Sequence, residues 1–203
     1  MIICITGMPG SGKSELSIML KRRGFEEFEM SSIPREQMRD KGIPINNETL
    51  RNYSMELRKK YGFDIVAKEL IKKIKKSRHA NIVIAGVRSD AELKLFRKHL
   101  KNLYVIALIA PQKVRYRRLI NRGHEDDFET HREFEWREKK EKAYGMESAI
   151  DAADFVISNT GTLKELGKNL DIVLSNVKKS ASMPLPKAQR SAKDSKIVSR
   201  AMQ

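Results

Sequence analysis

The chain has 203 residues, enough for one substantial hydrophobic core and short for two. Its 40% hydrophobic and 33% charged content describes a globular protein with a charged surface, and no run approaches the ~18 apolar residues of a membrane span. The net charge of +15 favours polyanionic partners such as nucleotides or nucleic acid, but aromatics make up only 6% and do not interleave with the basic residues, so no base-stacking platform is visible.

The N-terminal run Ile2-Ile3-Cys4-Ile5-Thr6 lacks the basic and long apolar regions of a signal peptide and reads as a strand. With a single cysteine, Cys4, and no metal-ligand cluster around it, a cytoplasmic protein is expected. Directly after the strand comes Gly7-Met8-Pro9-Gly10-Ser11-Gly12-Lys13-Ser14, which fits the Walker A pattern G-x-x-x-x-G-K-S. Its glycines let the backbone curl until successive N–H groups face phosphate oxygens, and the helix that follows adds its positive end. In that pattern Lys13 reaches the β- and γ-phosphates and the Ser14 hydroxyl ligates Mg²⁺. The strand before and the amphipathic helix after, Gly12 to Arg23 with Gly24 closing it, supply the context the motif requires.

Further along, strand-like and helical patterns alternate, the mark of a parallel α/β sheet. Phe25 to Met30 reads as a second strand, followed by a loop containing Pro34 and Pro44. Asn46 or Asn47 caps a helix bearing Leu50, Tyr53 and Leu57 and ending at Gly62; another helix runs from Asp64 to Lys76. Asn81 to Ala85 is a third, nearly all-apolar strand ending at Gly86-Val87-Arg88. Ser89 and Glu92 form a capping box for a helix with Leu93, Phe96 and Leu100 inward. Leu103 to Ile109 is a fourth strand, and Pro111 suits the start of the next helix. Residues 123–145 are highly charged without a clean apolar stripe and read as a mobile lid. Ala153 to Ile157 is the fifth strand, and Thr162 with Glu165 makes a capping box for the last helix. From Lys178 the composition turns to Pro, Ser and Lys, so residues 1–177 are expected to form the domain and 178–203 a basic disordered tail.

Arginines recur at strand ends and in the lid segment, as a small-molecule kinase needs to gather two anionic substrates and stabilise developing charge. The phosphate loop, Arg35-Glu36, Leu57-Arg58 before Tyr61-Gly62, Gly86-Val87-Arg88-Ser89, Glu125-Asp126-Asp127 and Ala153-Asp154 with Asn159 together resemble the archaeal adenylate-kinase-related nucleotide kinase family UPF0200, over roughly Met1 to Val177. The resemblance implies a three-layer P-loop kinase fold: a five-stranded parallel sheet, helices on both faces, and a lid. It implies ATP and Mg²⁺ as cofactors and assigns catalytic roles to Lys13, Arg88 and Arg137. Besides Gly7 to Ser14, it places Arg118, Arg122, Asn159, Thr160 and Gly161 around the nucleotide, and Arg35, Arg58 and Arg88 around the acceptor.

Three positions depart from the family pattern. Ala85 stands where an Asp usually holds Mg²⁺ through water, with Asp90 as a possible substitute. Ser31-Ser32 replace Gly-Asp ahead of Arg35, and His124 replaces a lid arginine. Two readings follow. One is a kinase transferring the γ-phosphate of ATP to a small phosphorylated, nucleotide-type acceptor, a nucleoside monophosphate or dephospho-coenzyme A. The other is a nucleotide-sensing P-loop module that binds nucleic acid through its basic surface and tail, with little turnover. A structural protein with a vestigial loop comes last, because Lys13 and Ser14 are intact.

Overall fold

The computed structural model describes residues 1–122 and 130–182. Its centre is a five-stranded, wholly parallel sheet in the order β2-β3-β1-β4-β5. The strands are β1 (Ile2–Thr6), β2 (Glu26–Glu29), β3 (Ile82–Ala85), β4 (Leu103–Ile109) and β5 (Phe155–Ser158). In the central strand β1, Ile3 pairs with Val83 on one side and Tyr104 on the other. Because side chains alternate across a strand, this apolar run serves two cores at once. Cys4, Ile82, Ile84, Val105 and Ala107 face α4 (Ile65–Ile74), α5 (Asp90–His99) and α8 (Met146–Asp151). Ile3, Ile5, Val83, Ile106 and Leu108 face α1 (Lys13–Lys21) and α9 (Leu163–Ser182). The result is the expected three-layer sandwich. Cys4 lies wholly within it, and burial pushes its thiol pKa up, so the group is protonated and inert.

The helix signals act where their chemistry predicts. Gly24, at φ +83°, closes the turn after α1. Asn46 caps α3 (Asn47–Tyr61), its side chain accepting from the Thr49 N–H at 2.9 Å. Thr162 and Glu165 cap α9 reciprocally. At α5, Ser89 accepts from the Glu92 N–H, but the Glu92 carboxylate turns instead to the Arg88 N–H at 2.8 Å.

Three stretches differ from expectation. The loop read around Pro34 holds a helix, α2 (Ser32–Asp40). Proline is tolerated there because it sits in the first turn, where backbone N–H groups have no intrahelical partner. In the segment read as a lid, residues 131–143 form helix α7 (His131–Ala143), with Phe134, Glu138 and Glu141 buried; residues 123–129, including His124 and Glu125-Asp126-Asp127, lie outside the described residues. Helix α9 continues through Ser182, five residues into the stretch expected as tail, and residues 183–203 lie outside the described residues.

Candidate functional site

The carboxyl ends of the strands form a crevice, the usual ligand position of an open α/β sheet. The loop from Gly7 to Gly12 leaves β1 there and enters α1. Its shape is fixed by close packing beneath it. Gly10, at φ +76°, would place a Cβ 2.6 Å from the Arg115 backbone oxygen. A Cβ on Gly12, at φ +102°, would overlap the amide nitrogen of Asn159. No other residue type fits either position without displacing backbone or that amide. Asn159, 6% exposed, donates from Nδ2 to the Ser11 carbonyl oxygen at 2.8 Å, so this side chain supports the loop from below. Gly161 packs instead against Glu165.

A second support was not evident in the sequence. Arg115, on α6 (Gln112–Arg122), is 2% exposed. It donates to the carbonyl oxygens of Ala110 (2.9 Å) and Pro9 (3.3 Å) and forms a two-pronged ion pair with buried Glu138 of α7. One guanidinium thus ties together β4's end, the phosphate loop and α7. The available signal was helical spacing: Arg115 and Leu119 share a face of α6, and Phe134, Glu138 and Glu141 share one of α7.

Lys13 donates from Nζ to the carbonyl oxygens of Gly7 (2.7 Å) and Met8 (3.1 Å), folding back over its own loop. The residue keeps some exposure, but its ammonium is recessed. Desolvation lowers its pKa to about 8; Arg88, Arg137 and Arg115 push the same way, while Glu141 opposes them. Among the polar atoms nearby, Ser11 Oγ and Arg118 Nη1 are buried without a hydrogen-bond partner, and desolvation also lowers the Arg118 pKa. A curled backbone, a recessed lysine and an orphaned guanidinium nitrogen are complementary to an oxyanion ligand, and the residues present fit a nucleotide polyphosphate. Among the described residues, no group of three or more His, Cys, Asp or Glu could hold a metal unaided. Ser14, exposed at the start of α1, is the hydroxyl positioned beside the loop.

Two cavities open from this point. The first, about 420 Å³, is lined by the phosphate loop, Arg118 and Leu119. The second, about 540 Å³, lies between β2, α2, α3 and α7 and is lined by Arg35, Arg51, Arg58 and Lys140, with Leu50, Met55 and Trp136 as apolar wall. Lys13, Ser14, Gly86, Arg88, Arg137 and Glu141 line both, so they mark the junction.

The loop carrying Arg88 is anchored twice, by the Thr6 hydroxyl donating to the Val87 carbonyl at 3.0 Å and by Glu92. The other oxygen of Glu92 accepts from Arg58 at 3.2 Å, so Arg58 reaches the second cavity already held. The structure therefore brings Lys13, Ser14, Arg88 and Arg137 together, with Arg118 on one side and Arg35 and Arg58 on the other. Asn159 and Gly161 line neither cavity, and the side chain of Arg122 lies outside the described residues. Asp90 does not line either cavity; it pairs with Lys94 at 2.6 Å on α5. Ala85 stands in register with Glu29 of β2, which does line the second cavity.

An AAA domain model matches residues 3–144. A UPF0200 protein of Pyrococcus horikoshii is 39% identical over 181 residues, covering 87% of this chain and 97% of that protein. The chain belongs to the UPF0200 family of P-loop NTPases. A UPF0200 protein of Saccharolobus islandicus is 35% identical over 180 residues, covering 88% of this chain and 95% of its own length. Among solved structures, TT1252 from Thermus thermophilus superposes with a TM-score of 0.62 at 21% identity, covering 87% of this chain and 97% of that one. A shikimate kinase from Acinetobacter baumannii, in complex with shikimate, gives 0.56 at 18%, covering 86% and 93%. These identities are low, and the structures show a shared P-loop kinase-like fold.

Proposed function

We propose that this UPF0200 protein is an ATP-dependent phosphotransferase acting on a small, anionic, nucleotide-type acceptor. The observation that carries the reading is the meeting of two cavities at Lys13, Ser14, Arg88 and Arg137. A protein that only senses one nucleotide needs one pocket; group transfer needs two, sharing a cationic boundary. In this reading ATP occupies the cavity of the phosphate loop and Arg118. Ser14 would hold Mg²⁺, which neutralises charge between the β- and γ-phosphates when bound. Lys13 leaves the Gly7 and Met8 carbonyls for the phosphates, and Arg88 and Arg137 face charge that develops on the transferred group. Arg35, Arg51 and Arg58 suit an acceptor that carries a phosphate or carboxylate. The kinase names among the structural neighbours agree with this class without choosing the acceptor.

The test is to incubate the full chain with ATP and Mg²⁺ in the presence and absence of pooled nucleotide-type acceptors, following ADP and phosphorylated product together. ADP formation should require Mg²⁺ and rise with acceptor. Tight ATP binding with no ADP from any pool would replace this reading with the nucleotide-sensing module, for which the +15 charge is the supporting feature.

A further inference from the structure

Glu141 has no role in the reading above, yet it occupies the centre of the site. It is 6% exposed, on the buried face of α7, and lines both cavities. Its Oε1 lies 3.6 Å from Arg88 Nη1. Its Oε2 is buried and has no hydrogen-bond partner. A carboxylate oxygen left without a donor is costly, and in natural structures the partner of such an atom is ordered water, a ligand or a reacting group.

We infer that Glu141 accepts the proton of an attacking hydroxyl, so that the phosphoryl acceptor is an anionic alcohol and not a phosphate. The inference rests on the phosphotransferase reading and narrows its substrate class. An acceptor phosphate is mostly a dianion at neutral pH; its oxygens need no base to become nucleophilic and would be repelled by a carboxylate at the point of attack. A hydroxyl is complementary on both counts. It supplies the donor that Oε2 lacks, and it becomes a better nucleophile as its proton is drawn away. The acceptor's negative charge belongs with Arg35, Arg51 and Lys140 of the second cavity's lining, and its apolar body with Leu50, Met55 and Trp136.

The step balances without a further reactant. The hydroxyl oxygen forms a bond to the γ-phosphorus as the bond from that phosphorus to the β–γ bridging oxygen breaks. ADP leaves with the bond's electron pair, and the hydroxyl proton passes to Glu141 Oε2. Product release returns that proton to solvent.

Glu141→Gln keeps shape and removes the base. Two measurements on the full chain decide. In the absence of acceptor, water takes the hydroxyl's place, so basal ATP hydrolysis should fall about 100-fold or more in Glu141→Gln, with ATP affinity within about threefold of the parent. A smaller alternative, Glu141→Ala, should lose the same rate and regain part of it with added formate. If Glu141 only neutralises Arg88 and Lys13, its loss will tighten ATP binding and leave hydrolysis unchanged, which overturns the inference. In the second measurement, dephospho-coenzyme A and shikimate serve as anionic alcohols and AMP as a phosphate acceptor. Phosphorylation of an alcohol and not of AMP is expected. Transfer to the phosphate of AMP, or to neither alcohol while ATP is still hydrolysed, overturns the acceptor class and leaves the phosphotransferase reading standing. Absence of both hydrolysis and transfer overturns both.

Discussion

Lys13 carries a proton equilibrium that ligand binding must shift. In the free protein its ammonium is recessed, and desolvation brings its pKa to about 8. Phosphate oxygens favour the charged form, so the pKa rises in the complex. Below pH 8 the lysine is already protonated and its contribution to affinity is constant. Above pH 8 the free protein must take up a proton to bind, and affinity falls, by up to tenfold per pH unit, until the pKa of the complex is reached. Calorimetry in two buffers of different ionisation enthalpy should show uptake approaching one proton per ATP near pH 9. Lys13→Met should bind ATP far more weakly, keep its melting temperature, and lose this proton uptake. A pH-independent affinity between 7.5 and 9 would show that Lys13 does not meet the phosphates.

Between elements, the decisive contact is Arg115 with Glu138. Both are nearly inaccessible, and together they join α6, α7 and the phosphate loop. Removing one partner of a buried pair leaves an uncompensated charge, at about 3–5 kcal/mol, whereas replacing both with apolar groups is often close to neutral. Arg115→Met alone should therefore lower the melting temperature by roughly 10 °C, at about 2–4 °C per kcal/mol for a chain of this size. Arg115→Met with Glu138→Leu should regain most of that loss. The double variant should still bind ATP more weakly than the parent, because the Pro9 carbonyl has lost its donor. Equal ATP affinity in parent and double variant would reduce the pair to a purely structural role. The contact also marks where the sequence stops being legible. The phosphate loop, the caps at Asn46 and Thr162 and the apolar strands could be read because their signals are local. Helix α2 was hidden because Pro34, with Pro44 beyond it, reads as loop chemistry. The buried face of α7 was hidden because two of its three members are glutamates, which look solvent-facing until their partners on other elements are known. Ala85 could be read as a departure from the family pattern, but its neighbour Glu29 follows only from strand register.

For the molecule as a whole, α9 decides where the folded unit stops contributing stability. The sheet face occupied by Ile3, Ile5, Ile106 and Leu108 is covered by α1 and by Leu166, Leu170, Val173, Leu174 and Val177 of α9. Val177 is wholly buried, and among the described residues it is the last member of that core. Residues 183–203 add five basic side chains and one acidic, with no periodic apolar pattern. Deleting them should leave the melting temperature and ATP affinity within error. It would lower the net charge only from +15 to +11, so any binding to polyanions should weaken modestly and keep its dependence on salt. A cut after Asp171 is a different matter. It removes Val173, Leu174 and Val177 and uncovers the apolar sheet beneath them. At roughly 1.5–3 kcal/mol for each buried side chain, the loss is comparable to the whole stability of a typical domain. That truncation should therefore fail to fold cooperatively, whereas the cut after Ser182 should be silent in the same thermal melt. Two equally stable truncations would mean that α9 does not close this core, and a destabilising cut after Ser182 would mean that the last residues pack on it.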